Sequence, residues 1–300
     1  MGDAACLLVT GAGGFAGGHL VSQAAAAGHR IVALLHRPES SPNRDRVATL
    51  DAQRRRLFAN APRGAALTVV AGSLTDRGFV RDLLAREAID AIAHLAGRTN
   101  TRSAELDRAG TVSANVEATQ VLAEEAARST AVRARPLRFV FASTSRVFAG
   151  LPAPPDRADS EKAPIGAYAH SKLEAEAAIE HLAGLDTAIA YAPNLLGPGG
   201  EGTVIPTWIE RALAGESIEV WGDGTALLEF LPVGAFADAI LGLLRDAPGE
   251  RLRRVLLRGS IRVSLAELAA AVCESLARLA PFDESGPPVT RAWAQLVRFA

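Results

Sequence analysis

The sequence predicts an α/β fold, a doubly wound parallel sheet followed by a smaller mixed C-terminal lobe. Three observations carry that prediction. Along the first two-thirds of the chain, short apolar runs alternate with longer amphipathic stretches. The short runs lack polar–apolar alternation, the mark of parallel strands covered on both faces. After Tyr191 the texture becomes turn-rich, with Pro193-Asn194, Gly197-Pro198-Gly199-Gly200 and Gly222-Asp223-Gly224.

Taken in order, strands are predicted at Leu7–Thr10, Ile31–Leu35, Leu67–Val70, Ala91–His94, Arg138–Phe141 and Thr187–Tyr191. Helices are predicted at Phe15–Ala27, Ser103–Arg128 and Gly166–Leu182, the second with Ala, Val and Leu recurring on one face. Pro152, Pro154, Pro155 and Pro164 mark a surface loop between strand and helix. Further on, helices are predicted around Trp208–Ala214 and at Ala235–Leu244 and Leu265–Leu279, with a short strand around Ile218–Trp221.

Composition narrows the function. The chain has 300 residues, 49% of them hydrophobic, enough for a large core. A net charge of -1, from 32 basic and 33 acidic residues, gives no electrostatic reason to expect nucleic acid or an anionic membrane as partner. Arg54, Arg55 and Arg56 read as a solvated helix face. Cys6 and Cys273 have no metal-ligand or redox spacing, so reduced, buried thiols and no metal are expected. Met1-Gly2-Asp3 leads straight into an apolar strand without a signal-peptide pattern, and no apolar run reaches the length of a membrane span. A cytoplasmic location is the expectation.

Thr10-Gly11-Ala12-Gly13-Gly14-Phe15-Ala16-Gly17 follows the first strand and opens a helix. That is the setting of a Rossmann dinucleotide loop, in which glycines let the backbone approach a pyrophosphate and the helix N-terminus faces its charge. Two registers fit: Gly11, Gly13, Ala16, or Gly11, Gly14, Gly17. The second strand ends Leu34-Leu35-His36-Arg37, without the acid that would accept the ribose hydroxyls of NAD. Arg37, with His36, can instead meet a 2′-phosphate, so NADP is expected, with NAD as the alternative. The organisation that follows is a dinucleotide-binding Rossmann domain over residues 1–191 and a substrate lobe over 192–300. Some chain is expected to return to the first domain around 233–258.

Tyr168 and Lys172 are four apart at the start of a helix, hence on one face. A neighbouring ammonium stabilises a phenolate, so Lys172 is expected to lower the pKa of Tyr168. Upstream, Ser143-Thr144-Ser145 ends a strand in hydroxyls that can hydrogen-bond a substrate oxygen.

In this order the motifs resemble an extended short-chain dehydrogenase/reductase of the NAD(P)-dependent epimerase/dehydratase superfamily. The family's T-G-x-x-G-x-x-G matches Thr10 to Gly17, and its H-L-A-A strand end matches His94-Leu95-Ala96-Gly97. Its N-x-x-G-T matches Asn115-Val116-Glu117-Ala118-Thr119, with Ala for Gly; Pro193-Asn194-Leu195-Leu196-Gly197-Pro198-Gly199 resembles its N-V-Y-G-P-G turn. The resemblance implies catalysis by Thr144, Tyr168 and Lys172. It implies cofactor contacts at Gly11, Gly14, Phe15, Ala16, Gly17, His36, Arg37, Ser73, Leu74, Leu95, Ala96, Gly97, Asn115, Tyr168, Lys172 and Pro193. Substrate contacts are implied at Arg98, Ser143, Thr144, Ser145 and Asn194. A homodimer through the helices at Ser103–Arg128 and Gly166–Leu182 is implied by family analogy.

Departures from the family pattern shape the expected chemistry. The dehydratases' Asp-Glu after the Thr is replaced by Ser145 and Arg146, leaving no carboxylate there to expel water. Leu228 stands where nucleotide-sugar members carry a diphosphate-binding Arg in G-D-G-x-x-x-R-D-F. The family's V-x-D-x segment becomes Val233-Gly234-Ala235, and Arg291 is a weak stand-in for a second phosphate-binding Arg. The acid of G-D-L, near adenine, is Ser73. The expected function is hydride transfer to or from a secondary alcohol or ketone of a sugar or sugar-like metabolite. An NAD-dependent epimerase that retains its cofactor and a non-catalytic dinucleotide-binding regulator are the competing readings.

Overall fold

The computed structural model describes residues 5–37, 44–130, 136–200, 203–246, 251–279 and 297–299. In chain order the strands are β1 (Cys6–Thr10), β2 (Arg30–His36), β3 (Leu67–Gly72), β4 (Ala91–His94), β5 (Leu137–Thr144), β6 (Leu185–Ala192), β7 (Asn194–Leu196), β8 (Ile218–Val220), β9 (Leu227–Pro232), β10 (Leu252–Leu256), β11 (Ile261–Ser264) and β12 (Val297–Phe299). The helices are α1 (Phe15–Ala26), α2 (Arg44–Asn60), α3 (Arg77–Arg86), α4 (Thr101–Leu106), α5 (Arg108–Val112), α6 (Ala118–Ser129), α7 (Gly166–Glu180), α8 (Val204–Leu213), α9 (Val233–Arg245) and α10 (Leu265–Leu279).

The chain divides into two units, Met1–Pro193 with Val233–Leu257, and Asn194–Pro232 with Arg258–Ala300. In the first, seven parallel strands form one sheet in the order β10-β6-β5-β4-β1-β2-β3. Every residue of β1, β4 and β6 is buried, which is why those segments show no alternation. Phe139, Phe141 and Tyr191 are fully buried in the core beside α6 and α7, each contributing about 1.5–3 kcal/mol. Strand order reverses between β1 and β4, the place where doubly wound sheets bind ligands outside their carboxyl ends.

The stretch 103–128 is not one helix. Asp107, at φ -134° and ψ 74°, leaves the helical region, and its carboxylate accepts the Gly110 amide at 2.9 Å to start α5. A π-helical turn at Ser113–Glu117 then leads into α6 and carries the buried Asn115. Helix α2 escaped the periodicity because it is strongly polar, Arg44 to Asn60 including Arg54-Arg55-Arg56.

β1 and β4 are also joined by a buried side-chain bridge. His94 Nδ1 lies 2.7 Å from Thr10 Oγ1, and His94 Nε2 lies 2.8 Å from Thr119 Oγ1. Burial, with help from the charge of Lys172, holds the imidazole pKa down to about 3. The unfolded chain protonates this histidine near its ordinary value of 6.5 and the fold does not, so stability is lost as pH falls below 6.5. Urea unfolding at pH 7 and at pH 5 should show the wild type losing about 2 kcal/mol more than a His94→Gln variant. Equal losses in the two proteins would remove His94 from this role.

The second unit has a mixed sheet, β11-β9-β7, and a two-stranded pair, β12-β8. β11 runs antiparallel to β9, and β7 parallel to it. Its core gathers Phe230 of β9 with Trp208, Leu268, Val272 and Cys273 from the amphipathic faces of α8 and α10. Arg291 lies outside the described residues.

Candidate active site

The glycine loop occupies the turn from β1 into α1. Gly11 has φ +68°, and the Gly14 amide donates to the Gly11 carbonyl at 2.9 Å. A Cβ on Gly11 would stand 2.7 Å from Ala96 N and 2.8 Å from Leu95 C, backbone atoms at the end of β4. A Cβ on Gly17 would run into the Gly11 carbonyl. Gly14 is the N-cap of α1, and among the described residues no side chain caps that end; the first turn also has no acid. The amides opening α1, at Phe15 and Ala16, are therefore left without a side-chain acceptor, and a dinucleotide pyrophosphate would fit these residues.

At the neighbouring strand ends, His36 and Arg37 are exposed, and the Arg37 amide donates to Gly72 O at 3.0 Å. Ser73 Oγ lies 2.6 Å from Thr75 Oγ1, and Leu74 is packed into the core. The Ala96 amide donates to Thr10 Oγ1 at 3.2 Å, which fixes the strand end carrying Leu95 and Gly97. Gly97, at φ +153°, passes so close to Asn115 that a Cβ would stand 2.7 Å from its Oδ1. Asn115 accepts the Arg98 amide at 2.7 Å and donates to Ser171 Oγ at 2.8 Å, tying this turn to α7. Pro193 is half-buried directly after β6.

Thr144 ends β5; its hydroxyl accepts the Arg146 amide at 3.3 Å and acts on the neighbouring Tyr168 phenol. Burial pushes the Tyr168 phenol up, against the pull of Thr144 and of the Arg146 charge. Lys172, only 2% exposed, donates from Nζ to the Ala142 carbonyl at 2.9 Å and lies 4.6 Å above the Phe141 ring. Burial lowers its ammonium to about 8, with Glu176 working the other way. Lys172 is thus not among the groups that shift Tyr168: its charge is turned to Ala142, and the cation acting on the phenol is Arg146.

Several residues proposed for substrate have other partners. The Ser143 hydroxyl is buried and donates to Glu176. Arg98 is ion-paired with Asp107, and Asn194 donates to Glu229 O at 3.1 Å. Ser145 is half-buried at the start of the short 3-10 turn after Thr144.

Two residues were missed. Glu176, 1% exposed, also accepts the Tyr191 hydroxyl at 2.7 Å, and burial raises its pKa. Its signal was present: it follows Lys172 by the same four residues that separate Lys172 from Tyr168. Arg56 is not solvated like Arg54 and Arg55; it is half-buried, with Nη2 donating to Gly13 O at 2.6 Å. Only the path of α2 reveals this. Among the described residues no group of three or more His, Cys, Asp or Glu could hold a metal, and no helix is long and apolar enough to cross a membrane.

Residues 7–254 match the model of the NAD dependent epimerase/dehydratase family. The chain belongs to that family. It is an enzyme, and its relatives carry more than one activity. It is 27% identical over 287 residues to a Streptomyces dTDP-4-dehydro-6-deoxy-D-allose reductase, covering 91% of this chain and 81% of the relative. It is equally 27% identical over 291 residues to a Xanthomonas campestris dTDP-glucose 4,6-dehydratase, covering 93% and 78%. Among solved structures, MoeE5 in complex with UDP-glucuronic acid and NAD superposes with a TM-score of 0.75 at 25% identity, over 98% of this chain and 85% of that one.

Proposed function

We propose that this family member is an NADP(H)-dependent ketoreductase acting on a secondary alcohol or ketone of a sugar or sugar-like metabolite. The carrying observation is Tyr168 on α7 beside Thr144 at the end of β5, with its phenol held protonated by burial. A bound nicotinamide dinucleotide supplies the hydride. Tyr168 donates its proton to the carbonyl oxygen, and Thr144 orients that oxygen. Lys172, fixed by Ala142, holds the nicotinamide ribose. Tyr168 is protonated at neutral pH and so enters the reducing direction as the proton donor. Ser145 and Arg146 offer no carboxylate for expelling water. In this reading residues 1–191 bind the dinucleotide and most of 192–300 shapes the substrate side. The enzyme works in the cytoplasm as a homodimer formed through the faces of α4–α7.

NADP(H) is preferred because β2 ends in His36-Arg37 without an acid. Arg37→Ala should weaken NADPH binding roughly ten- to a hundredfold and leave NADH nearly unchanged, the weight of one charge-assisted hydrogen bond. Equal losses for both cofactors in calorimetry would put Arg37 outside the 2′-site.

Incubation with NADPH and a panel of keto-sugars tests the reaction. Oxidation of NADPH with an equimolar gain of alcohol is the expected result. Interconversion of sugar epimers with no net change in free NADPH would make the enzyme an epimerase. A water-elimination product would overturn the reading as well.

A further inference from the structure

Helix α2 folds down against the glycine loop, and it does so with two side chains three residues apart, hence on one face. Arg56 Nη2 donates to the Gly13 carbonyl at 2.6 Å. The Gln53 side-chain amide packs on Gly13 so closely that a Cβ there would stand 2.7 Å from it. On the same helix, Leu50, Asp51 and Arg54 line a cavity of about 250 Å³ whose other walls include Leu35 and Arg37 at the end of β2 and Val69–Ala71 of β3. The helix therefore spans the corner between the loop and the end of β2. In a doubly wound sheet, that corner is where the adenosine ribose is read.

The charge at this corner is lopsided. Asp51 and Arg54 share one cavity wall and offset each other. Arg37 and Arg56 remain as the net positive charge, and Arg56 forms no ion pair with a described residue. One N–H of its guanidinium is taken by a neutral carbonyl, and among the described residues no other group is bonded to the rest of the fork. A guanidinium tethered in this way loses little rotamer freedom when it binds an anion.

We propose that Arg56, tethered to the Gly13 carbonyl, is a second specificity-determining residue for the cofactor and receives the 2′-phosphate of its adenosine ribose. The proposal rests on the NADP(H) reading above. It differs in placing half of the recognition on α2 rather than after β2.

Adenosine 2′,5′-bisphosphate and 5′-AMP, which differ only in the 2′-phosphate, separate the two by calorimetry. The wild type should bind the bisphosphate at least roughly tenfold more tightly than 5′-AMP. Arg56→Met, which keeps the bulk of the side chain, should lower bisphosphate affinity roughly ten- to a hundredfold and leave 5′-AMP affinity unchanged. A wild type that binds both nucleotides equally would overturn the NADP(H) reading and this inference together. A wild type that prefers the bisphosphate, with Arg56→Met keeping the full preference or losing both ligands equally, would overturn the role of Arg56 alone. If Arg56→Met does not fold, Arg56→Lys decides in the same way. A point ammonium cannot hold the Gly13 carbonyl and a phosphate with the same planar fork, so the preference should shrink in that variant too.

Discussion

Replacing Tyr168 with phenylalanine should lower kcat by roughly two to four orders of magnitude while dinucleotide affinity stays nearly intact. The substitution removes one hydroxyl, the group on which Thr144 acts, and keeps the ring. Lys172 should be undisturbed, since its ammonium is held by Ala142 and not by the phenol. Loss of the proton donor then appears in turnover and not in binding. Single-turnover kinetics with saturating NADPH, beside a calorimetric Kd, separate the two. Retention of more than about a tenth of wild-type kcat would give the proton to another group, because general acid catalysis carries more than that.

Gly11→Val should abolish dinucleotide binding and lower Tm. Two effects act at the same atom. At φ +68° a branched residue is strained by about 1–2 kcal/mol. Its Cβ would also sit 2.7–2.9 Å from Ala96 N, Leu95 C and Ala96 Cα, backbone that is itself pinned by Thr10. Neither side can give way without opening β1 from β4, so the loop that presents α1 to the pyrophosphate is lost. Calorimetry with NADPH and a thermal melt read both effects. A variant that still binds within about tenfold of wild type would mean that the loop is not the phosphate site.

The parts of this enzyme legible in the sequence are those where one residue's chemistry decides the local backbone. β1, the loop and α1 form a contiguous signal: a buried run, a left-handed Gly11, and a helix that begins on Gly14. The placement of Tyr168 and Lys172 on one helix was legible for the same reason, since their spacing of four suits helical periodicity. What was not legible depends on distant partners. The electrostatics of Tyr168 could not be read because the ammonium expected to act on it turns to a carbonyl 30 residues upstream. Ser143 and Thr144 look interchangeable in sequence, yet adjacent strand residues point to opposite faces, and one hydroxyl goes to Glu176 while the other meets Tyr168. The break at Asp107 hid behind good helix formers, because a cap and a π turn overrode propensity. Arg56 was hidden because its partner, Gly13, is 43 residues away.

The last strand of the large sheet also has a consequence for biosynthesis. β10 joins β6 with Leu252 beside Thr187 and Leu256 beside Tyr191, after the chain has built most of the second unit's strands. While the polypeptide leaves the ribosome, β6 therefore presents an unpaired edge of apolar residues until residue 256 has emerged. A nascent chain stalled or cut within the intervening segment carries a sticky strand, the kind of species that aggregates or recruits chaperones. Shortening the excursion between β6 and β10 would shorten that interval of exposure.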